Sequence, residues 1–176
     1  MNKRTLSYAD ERDKTYGITG MTITLVVCNA EDYLSEIHLD NQPGECMVMA
    51  HQFGFKGNPR MSAKIVWEQT LNDLRVTTSM ALGNLMCRRY ILDRKPLTDD
   101  EASELRRAVV DEASEHCALD NDESARLFDA CYHTVDRIFR HSAIRPIADS
   151  FAEQLTNRRT LSANEAIEIL AQLGIR

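Results

Sequence analysis

The spacing of apolar positions changes character about a third of the way along the chain. Up to residue 60 it reads as short alternating runs and turns. Beyond that point it follows a period near 3.6. Residues 18–28 are dense in β-branched side chains (Ile18, Thr19, Thr22, Ile23, Thr24, Val26, Val27), which favours a pleated strand. Residues 34–39 predict a second strand, with Ser35, Ile37 and Leu39 on one face. Residues 46–53 predict a third, with Cys46, Val48 and Ala50 alternating against Met47, Met49 and His51. Between these two lies Asn41-Gln42-Pro43-Gly44, a turn in which Pro presets one central φ and Gly accepts a positive φ at the next position. The second and third strands therefore predict an antiparallel hairpin, closed by a loop containing Gly54, Gly57 and Pro59. The polar residues 1–16 alternate in charge sign and predict a mobile arm or a short, weak helix.

The rest of the chain reads as helices. Ser62 is a good cap for a helix whose stripe is Trp67, Leu71, Leu74, Thr78, Ala81, Leu85 and Leu92. Unbroken, it reaches about Arg94, roughly 30 residues and about 45–50 Å long. Poor helix formers at Val76-Thr77-Thr78-Ser79 and Gly83 leave open a division into two helices near residue 77. Pro96 ends this element. Thr98 with Glu101 is a capping box that opens a helix to about Leu119, burying Ala102, Leu105, Val109 and His116. The turn Asp120-Asn121-Asp122-Glu123 leads into an amphipathic helix carrying Phe128, Cys131, Tyr132, Val135, Ile138 and Phe139. So short a turn makes these two helices an antiparallel pair. Pro146 suits the first position of a helix over residues 147–155. Ser162 with Glu165 is a second capping box, opening a helix with Ala166, Ile169, Leu170 and Leu173 inward. Gly174 supplies its left-handed stop, and Ile175 folds back. The pattern thus predicts an α+β fold: a small N-terminal antiparallel sheet or hairpin in residues 17–60, packed on a predominantly helical C-terminal bundle of four to six helices in residues 61–176. One cooperative unit is expected, because so short a β region buries little alone.

Charge changes this picture locally. The 176 residues carry a net charge of −6, which disfavours non-specific nucleic-acid binding and a polybasic membrane anchor. By segment, residues 98–129 hold −8 and residues 61–97 hold +3, so the acidic excess lies on one helix and its flanking turns. That helix, with Asp99, Asp100, Glu104 and Asp111, is a candidate face for a basic protein partner. The basic residues Arg88, Arg89, Arg94 and Lys95 fall at the end of the preceding helix, where they favour the dipole or pair with a neighbouring subunit. The five cysteines have no CxxC spacing, so reduced and mostly buried thiols are expected. No apolar stretch approaches the length of a membrane span or a signal core, which points to the cytoplasm.

Candidate chemistry is sparse. Glu112 and His116, and Asp129 and His133, have i, i+4 spacing on consecutive helices. The second pair, however, points away from the apolar face of its helix, so no metal site is expected. Asp120, Asp122 and Glu123 lack the ligand spacing and central glycine of a calcium loop. His116-Cys117 and the Cys131/His133 pair diverge on a helix, and no G-x-S-x-G, dinucleotide or P-loop motif occurs. Lys56 and Arg60 lie in a glycine-bearing loop. A helix-turn-helix drawn over residues 147–173 has too long a turn and an acidic second helix, with only Arg158 and Arg159 favouring DNA.

The reading is a non-catalytic interaction or regulatory protein without a cofactor, binding a protein partner or a second copy of itself as a homodimer. Its expected interface residues are Met47, Met49, Arg88, Arg89, Asp99, Asp100, Glu104 and Asp111. Methionines suit adaptable interaction surfaces. The alternatives are a small-molecule or metal-dependent enzyme using His38, His51, His116 and Glu112 between sheet and bundle, and a DNA-binding regulator.

Overall fold

The computed structural model describes residues 7–50 and 63–175. Its first element departs from the sequence expectation: Glu11–Val27 is a helix, α1, not the end of an arm followed by a strand. All of residues 15–26 are buried, so no amphipathic period is required and none is visible in the sequence. Three of its four threonines, poor helix formers in water, return their hydroxyls to the preceding turn, while the buried Thr19 hydroxyl has no partner among the described residues. Thr15 donates to the Glu11 carbonyl at 2.9 Å, Thr22 to Ile18 at 2.9 Å and Thr24 to Gly20 at 2.8 Å. The start is capped by Asp10, whose carboxylate accepts from the Asp13 amide at 2.8 Å. Burial on every side has overridden β propensity here.

The small sheet has order β2-β1-β3. Strand β1, Leu34–His38, and β2, Met47–Met49, form the expected antiparallel hairpin, with a bulge between Leu34 and Glu36; β2 ends before Ala50, and residues 51–53 of the expected strand lie outside the described residues. On the other side of β1 lies β3, Thr160–Ser162, also antiparallel. In sequence that stretch reads as the connection between two helices. Three residues are too few to show an alternating pattern. Ile37 sits opposite both Met47 and Leu161, while Glu36 sits opposite Val48 and Ser162. Ile37 and Leu161 are fully buried, so this is the inward face.

Helix α2, Ala63–Met86, runs unbroken through residues 76–79 and Gly83, then continues as a π-helical segment, Cys87–Leu92. Burial again explains its survival: Val76, Thr78 and Gly83 lie in the packed interior. Helices α1 and α2 cross at Gly20 and Gly83. A Cβ on Gly20 would collide with the Gly83 carbonyl oxygen, and one on Gly83 with the Thr24 hydroxyl.

Helices α3, Asp99–Cys117, and α4, Asn121–Arg140, form the expected antiparallel pair. Then come α5, Ile144–Arg158, and α6, Ala163–Gln172. Capping boxes occur at Thr98/Glu101, Asp120/Glu123 and Ser162/Glu165. Helix α5 begins three residues earlier than expected, placing Pro146 within its first turn, where the missing amide costs no intrahelical bond. Gly174 takes φ = 100°, and the Ile175 amide returns to the Leu170 carbonyl at 2.9 Å.

The fold is thus mixed α+β, with a three-stranded antiparallel sheet and a six-helix bundle. Its main core joins the sheet and all six helices around Phe151, Ile18, Ile23, Leu82 and Leu155, with α3 contributing Leu105 and Val109. A smaller cluster of Leu74, Ala113, Cys117 and Leu119 fastens α3 to α2. No described helix is long and apolar enough to cross a membrane. The expected loop at residues 54–59, with Lys56, Arg60, His51 and the Ser62 cap, lies outside the described residues, as does the side chain of His116.

Candidate functional site

Met47 and Met49 occupy the inward face of β2, half-buried and packed against the core of their own chain. Val48, on the outer face, is 40% exposed. Arg88 is bound within the molecule. It grips the Asp13 carboxylate with Nε and Nη2, each at 2.5 Å, donates to the Ser7 carbonyl at 3.2 Å, and lies over the Tyr8 ring at 5.0 Å. Arg89 pairs with Asp93 at 2.5 Å and with Glu101, the capping carboxylate of α3. The acidic helix therefore meets part of the basic cluster inside one chain. Asp99, Asp100, Glu104 and Asp111 are exposed.

Of the candidates for an enzyme site, the two described ones, His38 and Glu112, sit on separate elements, β1 and α3. His38 contacts Glu36 at 2.8 Å and the Thr160 hydroxyl at 3.4 Å. Glu112 belongs to α3, which packs on α4 and α2. Among the described residues no group of three or more His, Cys, Asp or Glu could hold a metal ion. Arg158 reaches Glu165 at 3.4 Å, and Arg159 binds Glu11 and Asp40, so neither stands as an unopposed cation.

A different grouping emerges between the end of the π-helical segment and the turn joining α4 to α5. An open cleft of about 640 Å³ is lined by Tyr90, Ile91, Arg94, Lys95 and Pro96 from the first segment. From the second come Phe139, Arg140, His141, Ser142, Arg145 and Pro146. Four of these residues are permanent cations and none is a carboxylate. Asp136 neutralises Arg140 at 2.7 Å from just outside the lining. Among the described residues no carboxylate pairs with Arg94, Lys95 or Arg145. Residues 94 and 95 stood out in sequence as basic. Their convergence with Arg140 and Arg145 has no sequence signal, because some fifty positions separate the two segments.

The backbone is unusual here as well. A π-helical turn is a rare, less favourable form that occurs frequently at functional sites. Two residues past its end, Arg94 adopts φ = 56°, a left-handed helix stop closed by the Lys95 amide on the Arg89 carbonyl at 2.9 Å, as Asn29, Ala118 and Arg159 adopt positive φ at other helix ends. The α5 N-terminus beside it has Ala143 at its cap position, no side-chain cap and no acidic residue in its first turn. Helices α1, α3, α4 and α6 all carry a side-chain cap and an acid there.

The aromatic wall is fixed. The Tyr90 hydroxyl donates to Asp136 at 2.7 Å and lies 3.4 Å from Arg140 Nη2, whose guanidinium rests 5.3 Å from the Tyr90 ring centroid. Burial, and then the bond to Asp136, push the Tyr90 phenol up, so it remains neutral. Arg145 Nη2 reaches the Tyr90 carbonyl at 3.5 Å, placing α5's first turn against the π-helical segment. The cysteines are elsewhere, and burial pushes all five thiols up, away from the reactive thiolate. No protein-family model, curated protein or solved structure matches this chain.

Proposed function

We propose that this is a non-catalytic regulatory or interaction protein that recognises an anionic partner in the cleft between residues 90–96 and 139–146. The observation that carries this reading is the convergence of Arg94, Lys95, Arg140 and Arg145 on one concave surface whose lining contains no carboxylate. Like charges gathered at a surface repel one another, and a bound anion relieves that repulsion. The binding role, as opposed to a catalytic one, is supported by the protonated, mostly buried thiols. Five free cysteines suit a reducing compartment such as the cytoplasm.

Thermal unfolding in the presence of inorganic pyrophosphate or citrate tests this reading, with equal ionic strength of chloride as reference. A ligand at a hundredfold excess over its Kd adds about 2.7 kcal/mol of stability, a rise of several degrees. The double variant Arg94→Glu/Arg145→Glu should lose that rise. If neither anion shifts the transition beyond the chloride reference, the cleft is not an anion-recognition surface.

A further inference from the structure

We infer that the ligand of this cleft is a small phosphomonoester with a ring in its body, of the nucleoside monophosphate or aryl phosphate kind; this rests on the reading of the cleft as an anion-recognition surface. Charge sets the head group. With Arg140 held by Asp136, the lining cations that no described carboxylate pairs with are Arg94, Lys95 and Arg145. A phosphomonoester, with a charge of about −1.5 to −2 at neutral pH, balances that excess far better than a single carboxylate. Two guanidiniums from opposite segments can each offer paired N–H donors to phosphate oxygens, and Lys95 adds a point charge. Ser142 and the uncapped start of α5 supply further donors and a favourable dipole. These last features support the cation cluster and would not carry the assignment alone.

Volume and lining set the body. A space of about 640 Å³ is far more than a bare phosphate fills and falls within the range of small-molecule sites. Each segment brings apolar surface with its charges: Tyr90, Ile91 and Pro96 on one, Phe139 and Pro146 on the other. Tyr90 is anchored through its hydroxyl and carries the Arg140 guanidinium against its ring, so the two planar groups together form a fixed wall for a flat group.

The surroundings favour a small ligand over a long polyanion. Helix α3 begins a few residues beyond the cleft, and the Arg89–Glu101 pair ties its first turn to the π-helical segment. Exposed Asp99, Asp100 and Glu104 therefore flank the cationic surface on that side. A nucleic-acid strand or acidic peptide extending beyond the cleft in that direction meets like charge.

Calorimetric titration of the full chain with adenosine 5′-monophosphate, phenyl phosphate, adenosine, inorganic phosphate and a single-stranded DNA oligonucleotide tests the assignment. The expected result is that at least one ester binds tenfold or more tightly than inorganic phosphate, adenosine and the oligonucleotide. Arg94→Glu and Arg145→Glu should each weaken that ester at least tenfold. Arg145→Glu places an acid in the first turn of α5, which favours the helix, and Lys95→Ala gives a milder second variant. Equal binding of ester and inorganic phosphate would overturn the phosphomonoester while leaving anion recognition intact. Tighter binding of the oligonucleotide would replace it with a nucleic-acid surface. Absence of binding by every anion would remove both readings.

Discussion

Seventy-five positions separate Asp13 from Arg88, yet their side chains form the most enclosed ion pair of the described residues. Burial alone would raise the Asp13 carboxyl. The hydrogen bond from Arg88, the Ala9 amide and the charges of Arg88 and Arg89 instead hold it below its ordinary value of 3.8. A carboxylate lowered in the folded state contributes stability that is present above its unfolded pKa and is lost as pH falls through its folded one. Urea unfolding between pH 6 and pH 2 should therefore show the Asp13→Asn variant losing less stability on acidification than the parent, having started lower at pH 6. Equal acid losses would mean that the pair is not linked to folding. Glu11, Asp40, Glu101 and Glu165 are also held low by their partners, so the variant should keep part of the parent's acid sensitivity. The pair was not legible in sequence, since Asp13 read as part of a polar arm and Arg88 as a surface cation.

At the scale of elements, the crossing of α1 and α2 shows what small residues do in this fold. Gly20 and Gly83 let the two backbones approach until no side chain fits between them. Gly83→Ala removes flexibility from an unfolded chain and improves helix propensity, each worth about 1 kcal/mol or less. Against that, its methyl meets the Thr24 hydroxyl and the Gly20 carbonyl, and the second of these is backbone that can move only with its helix. Overpacking of this kind costs about 1–3 kcal/mol, occasionally more. The expected outcome is net destabilisation by about 1 kcal/mol, measured as a lower urea midpoint; a stabilised variant would mean the helices separate without penalty. The elements with a solvent-facing side were readable beforehand. Helix α4 buries Phe128, Cys131, Val135 and Phe139 on one stripe, and both expected capping boxes form. Helix α1 was not readable, because a helix enclosed on all sides has no polar face to mark its period. One signal was present: Asp10 followed by Glu11 and Asp13 is a helix start.

Across the whole molecule, the last third of the chain completes the first. Strand β3 pairs with β1, Arg159 joins Glu11 to Asp40, and Tyr16 donates to Asp149 at 2.6 Å. Leu161, Ala166 and Leu170 bury fully against the common core. A chain ending at residue 158 would leave β1 with an unpaired edge and uncover Ile37 and the core beneath α6. It should therefore lose the cooperative thermal transition that the full chain is expected to show, followed by circular dichroism. A truncated chain that still melts in one sharp step would show that residues 159–176 dock on a core already complete without them.

By itself the sequence determined what local chemistry controls: the hairpin turn, the capping boxes, the amphipathic helices and the confinement of the acidic excess to one segment. These follow from side-chain spacing and from hydrogen bonds between residues a few positions apart. Tertiary structure alone decided which residues share an environment. It made a helix of a β-branched run by burying it, turned Met47 and Met49 inward, and spent Arg88 and Arg89 on carboxylates of their own chain. It also brought Arg94 and Lys95 against Arg140 and Arg145. Coulombic convergence depends on distance through space, and the fold had to bring two well-separated segments together before four scattered cations lined one cleft.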